Sequence, residues 1–254
     1  MTERYDVIGC HITAATHQSA RDRLVARVRE GGGGYVCFVN SHVAVTAHED
    51  AVVRTAVNAS FMSLPDGRPI YIVGRLRGID ELESVPGPDF FEAMLALRTD
   101  PPLRHYFLGG REEVLDVLLR NIRNRYPAAE IAGAYSPPFR PLDDAEWDRV
   151  IGSIRGAAPD LIWVGLGAPK QELFMHHRWD ALKPAVLLGV GAAFDFLAGS
   201  VRRAPAWMRR LGMEWLYRLA CEPGRLWKRY FYTNTMFLVY AAAAVVGLRR
   251  GHDS

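Results

Sequence analysis

The sequence predicts an α/β protein, in which helices flank a mainly parallel β-sheet. Short apolar runs typical of buried strands alternate along the chain with longer segments whose apolar residues recur every three or four positions. Glycine, proline or asparagine follows most of the short runs, as is common where a strand turns into a helix. Strands that alternate with helices pair in parallel and receive helices on both faces. The composition agrees, because 49% hydrophobic and 23% charged residues are typical of a globular protein.

The predicted elements follow this alternation along the chain. Strand-forming runs open residues 35–46, 61–70, 103–110, 129–139, 160–167 and 185–199, the last of which continues into a glycine-rich segment. The predicted helices occupy residues 48–60, 87–97, 111–127, 143–159 and 169–179. The amphipathic spacing is clearest in residues 111–127, and Asp89 stands near the start of its helix. A sheet of this kind is Rossmann-like.

Polar turns follow several of the predicted strands. They contain Asn40, Pro65-Asp66-Gly67, Gly109-Gly110, Gly167–Glu172 and Gly191–Asp195. Ligands of open parallel sheets bind at the carboxyl ends of the strands. We therefore expect these turns to lie together around a binding site.

The segment "VGLGAPKQELF", residues 164–174, joins a predicted strand to a predicted helix. Its glycines would let a ligand approach the backbone, and the amides at a helix start favour phosphate. Lys170 and Gln171 add hydrogen-bond donors. The alternative is a tight turn with a solvated lysine. The segment lacks the GxxxxGK[ST] spacing of a P-loop, and residues 189–195 lack a complete GxGxxG pattern.

Asp66 has two interpretations. Pro-Asp-Gly is favoured turn chemistry, so the residue fits a plain turn. Its position after a strand also suits a carboxylate that takes a proton from an acceptor hydroxyl.

The amino-acid composition changes near residue 200, after which the sequence becomes rich in arginine and tryptophan. We expect an α/β domain over residues 1–200 and a basic helical C-terminal appendage over residues 201–254. From Val201 to Arg250 the only acidic residues are Glu214 and Glu222, although the net charge of the whole chain is only +3. This asymmetry favours a phosphate-rich partner or an anionic membrane surface.

Three cations of the appendage, Arg218, Arg225 and Lys228, have spacings that could place them close together on helical turns. Pro223 predicts that a new helix starts between Arg218 and Arg225. Clustered guanidinium groups suit a diphosphate. The alternatives are a solvated basic face or a membrane-surface patch, and the latter is favoured by the neighbouring tryptophans.

The apolar run Met236–Leu248 is shorter than the ~20 residues that span a bilayer comfortably. We expect an interfacial helix there. A membrane span, a core helix and an oligomer helix remain as alternatives, and such an apolar tail favours self-association.

Other partners are not indicated. Cys10, Cys37 and Cys221 lie far apart and fit ordinary thiols in a reducing compartment. The start of the sequence shows no secretory signal pattern. No metal-ligand pattern stands out, so we expect no metal, no cofactor and no nucleic-acid partner.

Several segments together resemble the WecG/TagA/CpsF family of bacterial glycosyltransferases. The resemblance extends from about Tyr5 to Arg229. The matching segments are "PDG" at 65–67, "GPD" at 87–89, "VGLGAPKQE" at 164–172, "GVGAAFDFLAGSVRRAP" at 189–205 and "GMEWLYRLACEPGRLWKR" at 212–229.

The resemblance implies an inverting, metal-independent transfer of a sugar from a UDP-sugar to a polyprenyl-diphosphate-linked glycan. The donor sugar would be N-acetylmannosamine, its uronic acid or a glucosyl-type sugar. Asp66 matches the catalytic base. The implied substrate-binding positions are Asn40, Gly67, Asp89, Gly167, Lys170, Gln171, Glu172, Asp195, Arg203, Arg218, Arg225 and Lys228. The enzyme would be cytoplasmic and would attach peripherally to the inner face of the membrane through its appendage.

Two positions depart from the family pattern. Phe38 replaces the usual threonine two residues before Asn40, and Ser84 replaces an arginine that often precedes the "GPD" segment. These changes leave an alternative interpretation open, in which the chain is a non-catalytic family member that serves as a scaffold in a membrane glycan-assembly complex. A dinucleotide-dependent enzyme would need a GxGxxG after its first strand, which is not seen.

Overall fold

The structure, a computed structural model, describes residues 3–250, apart from the side chains of Arg210, Arg225, Arg229 and residues 245–250. In this part of the chain the strands are β1 (Arg4–Val7), β2 (Cys10–Thr13), β3 (Gly34–Val39), β4 (Met62–Pro65), β5 (Arg104–Gly109), β6 (Glu130–Tyr135), β7 (Leu161–Gly165) and β8 (Val186–Gly189).

The α-helices of the described part connect and cover these strands. They are α1 (His17–Arg29), α2 (Ser41–Glu49), α3 (Ala51–Asn58), α4 (Arg68–Leu76), α5 (Gly87–Leu95), α6 (Glu112–Arg125), α7 (Asp144–Ala157), α8 (Lys170–Arg178), α9 (Ala193–Ala198), α10 (Ala206–Arg210), α11 (Glu214–Cys221) and α12 (Pro223–Arg250). A short 3-10 helix spans Asp180–Leu182.

Six of the strands form one parallel sheet in the order β4-β3-β8-β7-β5-β6. This confirms the predicted α/β class with a Rossmann-like sheet. Since every strand runs the same way, all the strand-to-helix turns emerge at one edge. The register places Val39 at the end of β3 beside Pro65 at the end of β4.

Two apolar layers cover the faces of the sheet. Alternate residues of β3 enter different layers, with Cys37 and Val39 in one and Val36 and Phe38 in the other. The side chain of Trp163 is fully buried at the centre of the sheet. Burial on both faces explains why the strands read as continuous apolar runs rather than as alternating patterns.

An antiparallel hairpin, β1–β2, lies outside the predicted alternation. Its turn carries Ile8 at φ 47° and Gly9 at φ 90°, and an isoleucine in the left-handed region is not a turn signal. The hairpin covers β4, where the Ser63 amide donates to Thr13 Oγ1 at 3.1 Å. Helices α1 and α4 were also not predicted, and α9 forms inside the segment expected to be a glycine-rich connection.

The C-terminal helices begin as the sequence predicts, since α11 ends before Pro223 and α12 starts there. Helix α12 packs on α2. The Phe237 side chain is 3% exposed within the core, and the Tyr240 and His48 rings lie 4.1 Å apart. The hydroxyl groups of Tyr232 and Tyr240 both donate to Glu49 Oε1, at 2.5 and 3.0 Å.

The predicted interfacial run Met236–Leu248 therefore has two environments in its described part. Phe237 and Tyr240 contact the protein, whereas Leu238 and Val239 are exposed. Within residues 3–250, no helix combines the length and the apolarity needed to cross a membrane.

A pair of glycine substitutions tests this fold. Gly109 ends β5 at φ 119°, and an added Cβ would lie 2.6 Å from the Gly165 carbonyl oxygen. Gly109→Ala should therefore lower the free energy of unfolding by about 2 kcal/mol or more. Gly152 lies exposed in α7 with open space around it, so Gly152→Ala should raise that energy by about 0.5–1 kcal/mol. Urea unfolding measures both, and equal effects of the two substitutions would contradict the described geometry.

Candidate active site

Asp66 lies at the carboxyl edge of the sheet, directly after β4. Its amide donates to the Val39 carbonyl at 2.9 Å, which holds the backbone against the end of β3. Asn40 follows β3 and caps α2, where its Oδ1 accepts from the Val43 amide at 3.1 Å. The Asn40 Nδ2 donates to Asp66 Oδ2 at 3.4 Å. The two neighbouring strand ends thus bring together two of the side chains that the sequence predicted for the site, Asn40 and Asp66.

The residue after Asp66 turns the chain into α4. Gly67 has φ 92°, a conformation that glycine adopts without the steric cost of a Cβ. Its amide donates to Ser84 Oγ at 3.1 Å. Ser84, at one of the two departures from the family pattern, therefore fixes the turn that carries Asp66. Phe38, at the other departure, points into the core and packs on Phe90 with 5.5 Å between ring centroids.

The surroundings of Asp66 favour its neutral form. Desolvation by burial raises its pKa from 3.8 to about 7, and the charges of Glu214 and Asp89 add to the rise. The hydrogen bond from Asn40 and the charge of Arg203 oppose it. A carboxylate with a pKa near neutral pH is well matched to accept a proton in catalysis.

The turn between β7 and α8 forms a second part of the edge. Gly167 has φ 76°, and its carbonyl accepts from the Gln171 amide at 3.0 Å. Lys170 is exposed at the start of α8. This turn therefore exposes Lys170 to solvent at the carboxyl edge of the sheet.

Gln171 and Glu172 are buried, at 4% and 0% exposure, although the sequence suggested a turn whose polar side chains face a ligand. The Gln171 Nε2 donates to Glu172 Oε1 at 3.0 Å and to the Gly189 carbonyl at 2.9 Å. With both amide hydrogens engaged, Gln171 Oε1 faces Gly191 and has no hydrogen-bond partner among the described residues. This oxygen is an acceptor held beneath the edge of the sheet.

Glu172 is the buried acid of this pair. Desolvation by burial raises its pKa from 4.5 to about 7, although the hydrogen bond from Gln171 and one from its own backbone lower it. Its Oε2 has no partner in the described part of the chain. The residue thus acts as a fixed acceptor for Gln171 rather than as an exposed ligand-binding group.

Helix α9 forms the third part of the edge. Asp195, in its first turn, is partly exposed, and its Oδ1 accepts from Ser200 Oγ at 3.3 Å. The neighbouring Phe196 ring has two guanidinium groups above it. Those of Arg203 and Arg218 lie 5.5 and 5.4 Å from its centroid. The start of the appendage is therefore stacked against α9.

Arg203 joins the appendage to α5. Its side chain is 15% exposed, donates to Asp89 Oδ1 at 2.6 Å and to Glu214 Oε1 at 3.3 Å, and lies 3.6 Å from Glu92 Oε1. Arg209 also donates to Asp89 Oδ1, at 2.9 Å. Asp89, predicted to bind substrate, is thus paired with two arginines in this structure.

The other predicted cations lie further along the appendage. Arg218 is at the edge through its stacking on Phe196, whereas the ammonium of Lys228 lies 5.8 Å from the centroid of Trp227 on α12. The side chain of Arg225 lies outside the described residues. The structure therefore brings Arg203 and Arg218 to the site and leaves Lys228 on the exposed side of α12.

Sequence reasoning missed Glu214, Arg209, Ser84 and Phe196 as parts of the site. Glu214 carried a signal, because it is one of two acids in a basic segment. Ser84 carried one as the residue that departs from the family pattern. In the part of the chain that is described, no group of three or more histidine, cysteine, aspartate or glutamate side chains is placed to hold a metal ion.

A carboxyl with a pKa of about 7 and an arginine within electrostatic reach, at the edge of a Rossmann-like sheet, suits chemistry on an anionic substrate. Comparison with known proteins gives the family. The profile described as "Glycosyl transferase WecG/TagA/CpsF family" matches residues 5–251. Two relatives carry the name N-acetylglucosaminyldiphosphoundecaprenol N-acetyl-beta-D-mannosaminyltransferase.

The relative from Bacillus subtilis (strain 168) is 35% identical over 199 residues, which cover 78% of this chain and 75% of the relative. The relative from Bacillus spizizenii is 30% identical over 197 residues, which cover 78% and 74%. The chain belongs to the WecG/TagA/CpsF family and is a glycosyltransferase, as the resemblance in its sequence indicated.

The buried acid predicts a pH-dependent stability. Because the folded protein favours neutral Glu172, its contribution to stability is present below pH 4.5 and is lost as the pH rises through about 7. Between pH 4 and pH 8, Glu172→Gln should therefore gain about 3 kcal/mol in free energy of unfolding relative to the wild type. Urea unfolding at both pH values measures the difference.

The matched control is Glu112→Gln, at an exposed glutamate in the first turn of α6. A stability difference between E172Q and the wild type that does not change with pH would show that Glu172 is ionised in the folded protein.

Proposed function

We propose that this glycosyltransferase moves an N-acetylmannosamine-type sugar from a UDP-sugar to a polyprenyl-diphosphate-linked glycan, with inversion at the anomeric carbon. The observation that carries the proposal is Asp66, a carboxyl with a pKa of about 7 at the strand edge, within electrostatic reach of Arg203 from the appendage. The printed names of the two relatives support the sugar and the acceptor. The uronic acid of this sugar or a glucosyl-type sugar would use the same chemistry.

Asp66 would act as the general base. Its carboxylate takes the proton of an acceptor hydroxyl as that oxygen attacks the anomeric carbon. The attack comes from the face opposite the nucleotide, so the new bond forms with inversion while the bond to UDP breaks. Asn40 donates a hydrogen bond to Asp66 Oδ2, which leaves Oδ1 to receive the proton.

The leaving UDP takes the electron pair of the broken bond and gains negative charge. Fixed cations that face this charge lower the barrier. Arg218 suits this role because its guanidinium stands over the Phe196 ring, and among the described residues it forms no ion pair with an acid. The buried Gln171 Oε1 would accept a hydrogen bond from the donor substrate near Gly191.

The appendage would also bring the enzyme to its acceptor. A polyprenyl-linked substrate lies in the membrane, so we place the enzyme at the inner face of the cell membrane as a peripheral protein. Exposed apolar side chains support this placement, namely Trp207 on α10, Leu211 directly after it and Leu216 on α11.

The function is tested by a donor screen that follows UDP release. Purified full-length protein is incubated with a short-chain lipid-diphosphate N-acetylglucosamine and a panel of UDP-sugars, with and without EDTA. We expect release from UDP-N-acetylmannosamine or a related donor, unchanged by EDTA. Binding of UDP without turnover of any donor would instead favour the scaffold alternative, and loss of activity in EDTA would contradict a metal-independent reaction.

Asp66→Asn should lower kcat by a factor of about 10² to 10⁴, because an amide cannot accept the proton. In the wild type, kcat/KM should fall about tenfold for each pH unit below about 7 and level off above it, since the ionised form is the active base. Steady-state assays across pH 5–9 measure both. Asp22→Asn, at an exposed aspartate of α1, is the control. Near-normal turnover in D66N would remove Asp66 from the mechanism.

A further inference from the structure

Gln171 and Glu172 form a buried pair beneath the carboxyl edge of the sheet, and the proposed reaction assigns no part to Glu172. The Gln171 Nε2 donates one hydrogen to Glu172 Oε1 at 3.0 Å and the other to the Gly189 carbonyl at 2.9 Å. A backbone carbonyl can only accept, so the amide nitrogen has to face Gly189 and the amide oxygen has to point away from it. The two partners thus fix the orientation of the Gln171 amide.

Glu172 supplies the second of these acceptors. It follows Gln171 in the first turn of α8, and its side chain is fully buried. With an apolar side chain at position 172, one amide hydrogen of Gln171 would be buried without a partner, which costs more than the net value of the hydrogen bond itself. The Gln171 side chain would then favour rotamers that bring this hydrogen to water or to another acceptor. Glu172 therefore stabilises the rotamer in which Gln171 is found.

The oxygen of the Gln171 amide faces Gly191, beyond the end of β8. A Cβ added to Gly191 would lie 3.5 Å from this oxygen, so the glycine leaves free the space that a side chain would fill. The oxygen is buried and has no hydrogen-bond partner in the described part of the chain. A buried acceptor of this kind strongly favours a ligand that brings a hydrogen, because a ligand without one leaves the oxygen unpaired.

The position and the chemistry of this oxygen define what it can bind. In the sheet, β3 alone separates β8 from β4, so the ends of these two strands are about 10 Å apart. Both amide hydrogens of Gln171 are used inside the protein, so this side chain does not add the donors expected from the sequence. Phosphate oxygens are acceptors and are repelled by another acceptor. The groups that fit are a hydroxyl or an amide N–H.

We propose that Glu172 is a positioning residue, which holds the Gln171 amide so that the site presents a buried acceptor to a hydroxyl or amide N–H of the donor substrate. The proposal rests on the proposed function, which supplies a UDP-sugar as that substrate. It adds a selection rule, since the substrate must carry a hydrogen at this position. The diphosphate is consequently bound elsewhere on the edge.

Calorimetry with UDP-N-acetylmannosamine tests this role without turnover. E172L should bind the nucleotide sugar at least about fivefold more weakly than the wild type, because Gln171 loses one of its two partners. E172Q should bind within about twofold of the wild type, since its amide carbonyl can accept in place of Glu172 Oε1. In steady-state assays, E172L should raise KM and change kcat by less than about threefold, because the contact is made equally in the ground state and the transition state.

The matched control is His105→Leu, near the start of β5 and so close to the opposite edge of the sheet. It removes the acceptor of the buried Trp163 Nε1. Urea unfolding should show a loss of stability in H105L, while its affinity for the nucleotide sugar should stay unchanged. If E172L binds as tightly as the wild type, or if E172Q or H105L binds as weakly as E172L, Glu172 has no positioning role.

Substrate analogues identify the hydrogen that Gln171 accepts. Each analogue of UDP-N-acetylmannosamine has one hydroxyl replaced by fluorine, or its acetamido group replaced by an acetate ester. One analogue should bind at least about tenfold more weakly than the parent compound in the wild type and in E172Q, but not in Q171L. A change in the transferred sugar would place the hydrogen there, and a change in the ribose, seen also with UDP alone, would place it on the nucleotide.

Two negative results have different meanings. If no analogue discriminates although the wild type binds the parent compound, the selection rule is wrong and the proposed function is unaffected. If the wild type binds neither UDP nor any UDP-sugar, the proposed function fails and the role of Glu172 fails with it.

Discussion

The parallel pairing of six strands is the constraint on which the rest of the structure depends. It sends every strand-to-helix turn to one edge of the sheet, so residues far apart in the sequence meet there. The register that sets Val39 beside Pro65 also sets Asn40 beside Asp66. Burial of the strand ends then removes water from Asp66 and raises its pKa toward neutrality. The same edge that gathers the polar groups therefore also adjusts the acid–base chemistry of one of them.

The appendage meets this edge through ion pairs and cation–π contacts, and it joins the apolar core at a different place. Arg203 joins Asp89 on α5 to Glu214 on α11, and α12 packs on α2 at a separate place through Phe237. Glu214 adds negative charge near Asp66, and Arg203 offsets part of it. The attachment of the appendage and the pKa of the candidate base are consequently linked, so a change in one is expected to alter the other.

The sequence predicted the parallel sheet and the place of Asp66 because both follow from local patterns. Apolar runs specify buried strands, and a Pro-Asp-Gly turn after such a run specifies the strand edge. The β1–β2 hairpin was not predicted, because its turn places Ile8 in the left-handed region and isoleucine is not a turn-forming residue. The burial of Gln171 and Glu172 was not predicted, because two polar residues after a turn usually face solvent. Their burial depends on the Gly189 carbonyl, a hydrogen-bond partner of Gln171 that the sequence does not reveal. Tertiary partners of this kind leave no mark in a single sequence.

The arginines of the site differ in how far neighbouring carboxylates balance their positive charge. Arg203 and Arg209 meet Asp89, and Arg203 also meets Glu214, so their charge is largely balanced inside the protein. Arg218 stacks on Phe196 and forms no ion pair with an acid in the described part of the chain. An incoming diphosphate would find its strongest attraction at Arg218, because it need not displace a carboxylate there. In this arrangement Arg203 and Arg209 hold the appendage in place, and under the proposed function the unbalanced charge of Arg218 would be left for the substrate.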